Sequence, residues 1–482
     1  MPKVFALAFS PLEYLMSSQN NAVYGASVKD VVTIAWPVML SMASHTIMDV
    51  TDTLMVGWIG TKERAAIGIA TTVLFLLMSF FMGLFEGVKI LGSQHMGAGR
   101  LDHAWSIGIN GLFLVMPCAL VVVAIGFFSE TIFALFGGPK EIQELAVVYF
   151  NIRVFAPIFW FITLALTQFF QGLGDTKTPM RINVLVCLLN IAINPFLIFG
   201  LGPIPALGVA GSALATVLST AIGSLIFLWI FFKKAPVKKS FDIKIFTRIS
   251  QLGWPSGIRW FCDISGYTVF TALVARLGEV ELAANQICIK IVCLSILPIW
   301  GVAEATCILT GYHFGGGRYD KIKQSFYSGL KVSCALMVIL GVVFIVGRSM
   351  IVGIFEPEPA VFMLSMNVML VVVVFQFFES FQNTCSLALY GTGDTRFPML
   401  TSLCGSWFIM LPLAYGLGFF GGLGLVGMWI AATIHLSILS VAVFWRFMRA
   451  GYMTRKFDAD TTKTDHRAEH SPRSEEPLSE AL

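Results

Sequence analysis

The chain has 482 residues, 56% of them hydrophobic and 12% charged; soluble domains carry roughly 25% charged residues, so a soluble globular protein is excluded. Its formal net charge of +4 is scattered over short loops and not gathered in a stripe, which excludes nucleic acid as a partner. The 42 Phe and 44 Gly instead suit closely packed membrane helices.

In chain order, residues 1–27 read as a cytoplasmic tail, in which Pro11 and Glu13 break the apolar run before any signal-peptide cleavage site. Apolar stretches of about 20 residues then predict membrane helices over 30–59, 65–92, 104–127, 145–170, 181–200 and 206–232. After a basic linker over 235–249, six more are predicted over 250–276, 282–311, 326–346, 362–390, 399–419 and 423–446. The expected fold is an all-α integral membrane protein of twelve helices, with six-helix bundles at 28–234 and 250–448. The last segment, 449–482, is rich in Thr, Asp, Glu, Arg and Ser and reads as a disordered cytoplasmic tail.

Orientation follows from the loops, because Lys and Arg near span ends are retained in the cytoplasm. One set of alternate loops carries Arg100, Lys177, Arg181, Lys233, Lys234, Lys238, Lys239, Arg318, Lys321, Lys323 and Arg396. The other carries Glu130 with Lys140, Glu141 and Glu144, then Glu279, Glu281, Glu356 and Glu358, with an uncharged stretch around Pro203 and Pro205. Lys62 and Arg64 are the exceptions, offset in part by Glu63. Both termini are therefore expected in the cytoplasm, and the short tails suggest a bacterial inner membrane. All nine Cys fall in apolar runs without metal-ligand spacing, and read as small buried apolar residues.

The two halves repeat. Trp36–Arg100 aligns with Trp254–Arg318 without a gap, at a constant offset of 218 and with about 18 of 65 residues identical. Gly83-x-x-Glu86 meets Gly301-x-x-Glu304, and His95-x-Gly-x-Gly-Arg100 meets His313-x-Gly-x-Gly-Arg318. Gly172-x-Gly-Asp175-Thr-x-x-Pro179-Met meets Gly391-x-Gly-Asp394-Thr-x-x-Pro398-Met at an offset of 219. Six helices per copy is an even number, so both copies enter the membrane from the same side and are related by an axis along its normal. The Gly-Asp-Thr loops read as tight turns in which Asp and Thr cap and Pro starts the next helix.

These residues resemble the multidrug and toxic compound extrusion (MATE) family over about Val28 to Arg446. The resemblance rests on Pro37 with Asp52-Thr53, the two Gly-Asp-Thr-x-x-Pro-Met loops, Asn190-x-x-x-Asn194-Pro195, Gly208-x-x-Gly211-x-x-x-Ala215-Thr216, and Gly253-Trp-Pro-Ser256. It implies a V-shaped transporter that exports amphipathic, often cationic compounds in exchange for H+ or Na+, without a cofactor. It further implies an N-bundle cation site at Asp52 with Asn190, Asn194 and Thr216, where one branch of the family has Asp in place of Asn194. In the C-bundle it implies a site at Asp263 and Glu379, where Na+ would bind, with the two acid side-chain lengths swapped relative to the NorM-type branch. The departure at Asn194 favours H+.

Read by themselves, acids inside membrane spans cost about 2.5 to 3.5 kcal/mol on insertion scales and so face a bundle interior or an ion path. His45, Asp49 and Asp52 lie at i, i+4 and i+7 on one helical face. Asp52 is expected to couple the ion or to make a structural hydrogen bond, with His45 and Asp49 joining or satisfying it. Asp263 follows Arg259 by one turn, either paired with it or left deeper with Glu379 while Arg259 snorkels. Glu86 and Lys89 are expected to pair, which leaves Glu304, with Cys307 at the Lys-equivalent place, the less compensated acid and a further C-bundle candidate. Asn190, Asn194 and Thr216 could equally cross-link helices by hydrogen bonds. The expected partners are small organic substrates, the coupling cation and membrane lipids, and the expected state is a monomer. The alternative is a flippase or exporter of a lipid-linked or other specific metabolite. The sequence holds no Gly-rich phosphate loop, His-Glu-x-x-His pair or nucleophile elbow, so no enzyme is expected.

Overall fold

Ser27 opens the first helix with a reciprocal cap: its hydroxyl accepts from the Asp30 N–H at 3.3 Å, and the Asp30 carboxylate accepts from the Ser27 N–H at 3.0 Å. From there the computed structural model, which describes residues 24–136, 139–200, 205–235 and 241–449, is a succession of long helices. Most of the predicted tails, Pro203, and Lys238 and Lys239 of the linker lie outside the described residues.

The first half comprises α1 (Val28–Gly57), α2 (Thr61–Gly97), α3 (Leu101–Gly126), the short α4 (Ser129–Phe136), α5 (Lys140–Arg153), α6 (Ala156–Gly172), α7 (Lys177–Phe199) and α8 (Gly208–Lys234). The second comprises α9 (Ile243–Ala275), α10 (Glu279–Gly315), α11 (Tyr319–Gly353), α12 (Pro359–Gly391), α13 (Arg396–Phe420) and α14 (Gly424–Met448). Among the described residues, ten helices are long and apolar enough to cross a membrane, and α5 with α6 makes an eleventh span bent by 50°. The bend replaces the single helix expected over 145–170. Pro157, in the first turn of α6, has no N–H to continue the hydrogen-bond ladder, and its ring would crowd the Arg153 carbonyl. The expected count of twelve rests on α9, whose 33 residues are long enough to cross but include Arg259, Asp263 and the Trp254-Pro-Ser-Gly257 stretch.

The halves meet along a seam made by α1, α2, α9 and α10, and it is built on small residues. A Cβ on Gly253 of α9 would lie 1.9 Å from the Leu84 carbonyl oxygen of α2, and one on Gly83 would lie 2.3 Å from the Ser256 backbone. Gly87 and Gly257 complete this backbone-to-backbone crossing, so each helix contributes a Gly-x-x-x-Gly pair. The repeat-related crossing of α1 with α10 is looser, since Ala35 and Met39 stand where α9 has its glycines and Met39 fills the space against Gly301. At the pseudo-twofold axis α2 meets α10. There the glycines of the two His-x-Gly-x-Gly-Arg motifs interlock, with Gly97 against the Tyr312 carbonyl and Gly315 against the Gln94 carbonyl.

Burial along these two helices changes abruptly. Every residue from Gly83 to Gly97 and from Gly301 to Phe314 is buried, whereas exposure alternates with burial in the preceding parts of both. The switch falls at repeat-equivalent positions, so the halves converge toward the ends bearing Arg100 and Arg318 and diverge toward the ends bearing Glu63 and Glu279. Residues just before α1 bind both halves at the converged end: the Tyr24 hydroxyl donates to the Gly174 carbonyl at 2.9 Å, and the Ser328 hydroxyl donates to the Ala26 carbonyl at 2.7 Å.

The Gly-Asp-Thr loops are tight turns. Gly174 and Gly393 take φ of 85° and 82°, values that a side chain resists, and Asp175 accepts from the Thr178 N–H at 3.0 Å and hydroxyl at 2.6 Å to open α7. Asp394 receives the Arg446 Nε–H at 3.0 Å. Of the nine Cys, six are buried as expected, but Cys334 is half-buried and Cys293 and Cys404 are exposed. In a membrane chain an apolar helix side needs no protein cover, so an apolar run does not imply burial inside the fold.

Candidate ion and substrate sites

In the first half, α1, α7 and α8 converge on Asp52. The Asn194 Nδ2 donates to Asp52 Oδ1 at 2.5 Å, and the Thr216 hydroxyl donates to Oδ2 at 3.0 Å. Asn194 also donates to Asn190 Oδ1 at 3.0 Å, and Asn190 donates to the Thr216 hydroxyl at 3.3 Å. All four side chains are buried. The four residues that sequence reasoning grouped are thus one hydrogen-bonded cluster joining three helices. One turn away on α1, Asp49 is exposed although protein surrounds it, as befits a group lining a cleft. His45, a further turn on, is half-buried. Among the described residues, neither is joined to Asp52 by a hydrogen bond.

Sequence reasoning missed Arg153. It ends α5 at the bend and lies within electrostatic reach of both Asp49 and Asp52, with its guanidinium 5.7 Å from the Tyr149 ring centre. The available signal was a lone Arg within the apolar stretch predicted as 145–170, four residues before a Pro.

In the second half, α9, α12 and α13 converge on Asp263. Ser402 donates to its carboxylate, and Arg259 lies 3.5 Å away, N to O. Arg259 does not snorkel. It is buried, and its other guanidinium N–H groups reach inward, one of them donating to Asn383 Oδ1 at 2.6 Å. Asp263 nonetheless keeps about a third of its side chain exposed, so, like Asp49, it borders open space. Glu379 lies within electrostatic reach of Asp263 and of Tyr267. Its Oε2 is buried without a hydrogen-bond partner among the described residues.

Glu304 is placed differently from expectation. Lys89 pairs with Glu304 across the seam and not with Glu86 on its own helix, so Glu304 is compensated and bridges the halves. Glu86 receives the Ser256 hydroxyl and, at 3.0 Å, the Trp260 indole N–H. The reason is the close approach of α2 to both α9 and α10, which brings partners from the other half nearer than the next turn of the same helix. Among the described residues no three His, Cys, Asp or Glu side chains gather as a metal site. Any alkali-ion site here would combine one or two carboxylates with amide and hydroxyl oxygens.

A family model, MatE, matches residues 37–196 and again residues 255–416, together more than half of the chain. The chain belongs to the MATE family. Its two matched segments each start at or beside the proline of a Trp-Pro pair, at Pro37 and Pro255. Among relatives, a probable multidrug resistance protein NorM of Thermotoga maritima is 26% identical over 429 residues, which span 86% of this chain and 92% of that protein. The multidrug resistance protein NorM of Burkholderia vietnamiensis is 26% identical over 429 residues, spanning 87% and 93%. A solved structure described as the outward-facing conformation of a multidrug resistance MATE family transporter superposes with a TM-score of 0.83 at 22% identity, covering 89% of this chain and 97% of that one. A MOP superfamily transporter from Pyrococcus furiosus, described as having a binding pocket of reverse polarity, gives 0.82 at 22% identity, covering 91% and 100%. The MATE chain is thus an integral, multi-pass membrane protein of this transporter fold.

Proposed function

We propose that this MATE protein is a secondary active exporter of amphipathic, often cationic organic compounds, driven by inward movement of a cation through alternating access. The observation that carries the reading is the disposition of its acids. A buried cluster lies around Asp52 and a half-buried acid pair, Asp263 and Glu379, in the other half, and Asp49 and Asp263 both border open space while the opposite end of the seam is closed. An acid-bordered cleft between converging helices attracts cations and repels anions. The interior Lys89 and Arg259 are each paired with a carboxylate, which argues against capture of an anionic lipid headgroup.

The basic, converged face is cytoplasmic in this reading, with both termini on that side, in a bacterial inner membrane, and the chain acts as a monomer with bundles at 28–234 and 250–448. The coupling ion is H+: Asn194 presents an amide N–H to Asp52, which suits a carboxylate that exchanges a proton better than one that coordinates Na+. Asp263 with Glu379 is the second cation site. The test is efflux of a fluorescent organic cation from proteoliposomes under an imposed pH or Na+ gradient, for wild type, Asp52→Asn and Asp263→Asn. Efflux that needs a gradient and is lost in either variant supports the reading and names the ion. Transport indifferent to both gradients, or variants with full activity, would refute it.

A further inference from the structure

At the level where α2 and α10 pass from partly exposed to wholly buried lies a layer of four residues related by the repeat. Trp300 precedes Gly301 as Met82 precedes Gly83, and Trp260 stands on α9 where Met42 stands on α1. All four are half-buried and lie near the middle of their helices, and the buried stretches of α2 and α10 begin at the next residue. The stacking of Trp260 on Trp300 and the bond from Trp260 to Glu86 of α2 place the two indoles at the seam between the halves, at the floor of the space above its buried stretch, and Met42 and Met82 occupy the repeat-equivalent places at the same level. The repeat has diverged at this level: the second half supplies two indoles stacked with centroids 4.7 Å apart and planes at 27°, and the first supplies two thioethers. Beneath the indoles lies Glu86, 2% exposed, which fixes Trp260 through its N–H and draws electron density into that ring.

We propose that the Trp260–Trp300 pair is the platform on which this transporter recognises flat aromatic cations, with Met42 and Met82 as the adaptable side of the same floor. Stacking covers the faces that the two indoles turn to each other and leaves an outer face, whose negative π surface attracts a cation, and the carboxylate hydrogen-bonded to Trp260 adds charge without exposing an acid to the ligand. Methionines on the other side adjust to ligands of differing outline at little cost. This explains why the acids at the seam are hydrogen-bonded and hidden while the indoles are partly open. The inference rests on the export reading above and adds to it the substrate shape and the residues that select it.

The test is equilibrium binding of ethidium to the full-length protein in lipid nanodiscs, read by fluorescence anisotropy, for wild type, Trp300→Phe and Trp300→Leu. Phe keeps a π face, whereas Leu keeps only bulk. The expected result is affinity within about threefold of wild type for Phe and a loss of about tenfold for Leu, the weight of one cation–π contact. Equal affinities in Phe and Leu, whether both unchanged or both reduced, would give Trp300 a packing role alone and overturn the proposal, as would a wild type that binds no ethidium. A wild type that binds ethidium with this pattern of variants, yet moves no organic cation under any gradient, would refute the export reading and leave the platform standing.

Discussion

Replacing Lys89 by Met removes the cation that pairs with Glu304 and lies within electrostatic reach of Glu86 at the seam. Lys89 is fully buried and the Glu304 side chain is 10% exposed, so the variant leaves an unpaired carboxylate in low dielectric. Breaking such a pair from one side costs about 3–5 kcal/mol. Because the pair joins α2 to α10, helices of opposite halves, the cost falls on the arrangement closed at the Arg100 and Arg318 end, and separation of the halves there relieves it by wetting Glu304. A bias of about 4 kcal/mol corresponds to roughly a thousandfold change in the population of the separated state. The reporter is already present in Cys307, one turn from Glu304 and fully buried. Site-resolved maleimide labelling by mass spectrometry should show Cys307 protected in wild type and labelled at least about tenfold faster in Lys89→Met, a conservative fraction of that shift. The exposed Cys293 should label equally in both proteins. The double variant Lys89→Met with Glu304→Met replaces the ion pair by apolar side chains and should recover most of the protection. Unchanged Cys307 protection in the single variant, or a double variant as open as the single, would refute the reasoning.

Two further outcomes follow from the geometry. Gly253→Ala would place a methyl group 1.9 Å from the Leu84 carbonyl, so α2 and α9 must part; the expected loss is about 1–3 kcal/mol, seen as a lower Tm. Gly68→Ala, with nothing within 4 Å of the new methyl, should leave Tm unchanged or raised, and equal effects at both sites would sink the tight-seam argument. Asn194→Asp sets a second carboxylate beside Asp52, where the amide nitrogen now sits at 2.5 Å, and two ionised acids that close need a cation between them. That variant should gain a Na+-specific rise in Tm, measured against choline chloride, that wild type lacks; a variant indifferent to Na+ would count against the assignment of Asn194 as the residue that disfavours sodium.

Much of the first-half cluster was legible because its members sit on separate helices at positions that a family resemblance groups, and because Asp in a membrane span demands partners. Asn190 and Asn194 are one turn apart on α7, so a single helix face turns both toward the cluster, Asn194 bonding Asp52 and Asn190 bonding Asn194 and Thr216. The seam network was not legible in the same way. A one-turn spacing made Glu86 the natural mate of Lys89, whereas the glycine contacts bring Glu304, Ser256 and Trp260 of the other half closer. Arg259 misled for a related reason: in a helix predicted over 250–276 it lies near one end and could snorkel, but α9 begins at Ile243, which puts Arg259 at its middle, and Asp263 and Asn383 draw it inward.

The sequence by itself determined that this protein lives in a membrane, that it is a duplication, and which helices carry acids at bilayer depth, because hydropathy, loop charge and repeat spacing are properties of the chain read one residue after another. Only the tertiary structure decided which acids are paired, which border open space, and that the seam is closed at one end. Those depend on how near two backbones come. At Gly83, Gly97, Gly253 and Gly315 the absence of a side chain allows an approach that local spacing along one helix cannot anticipate.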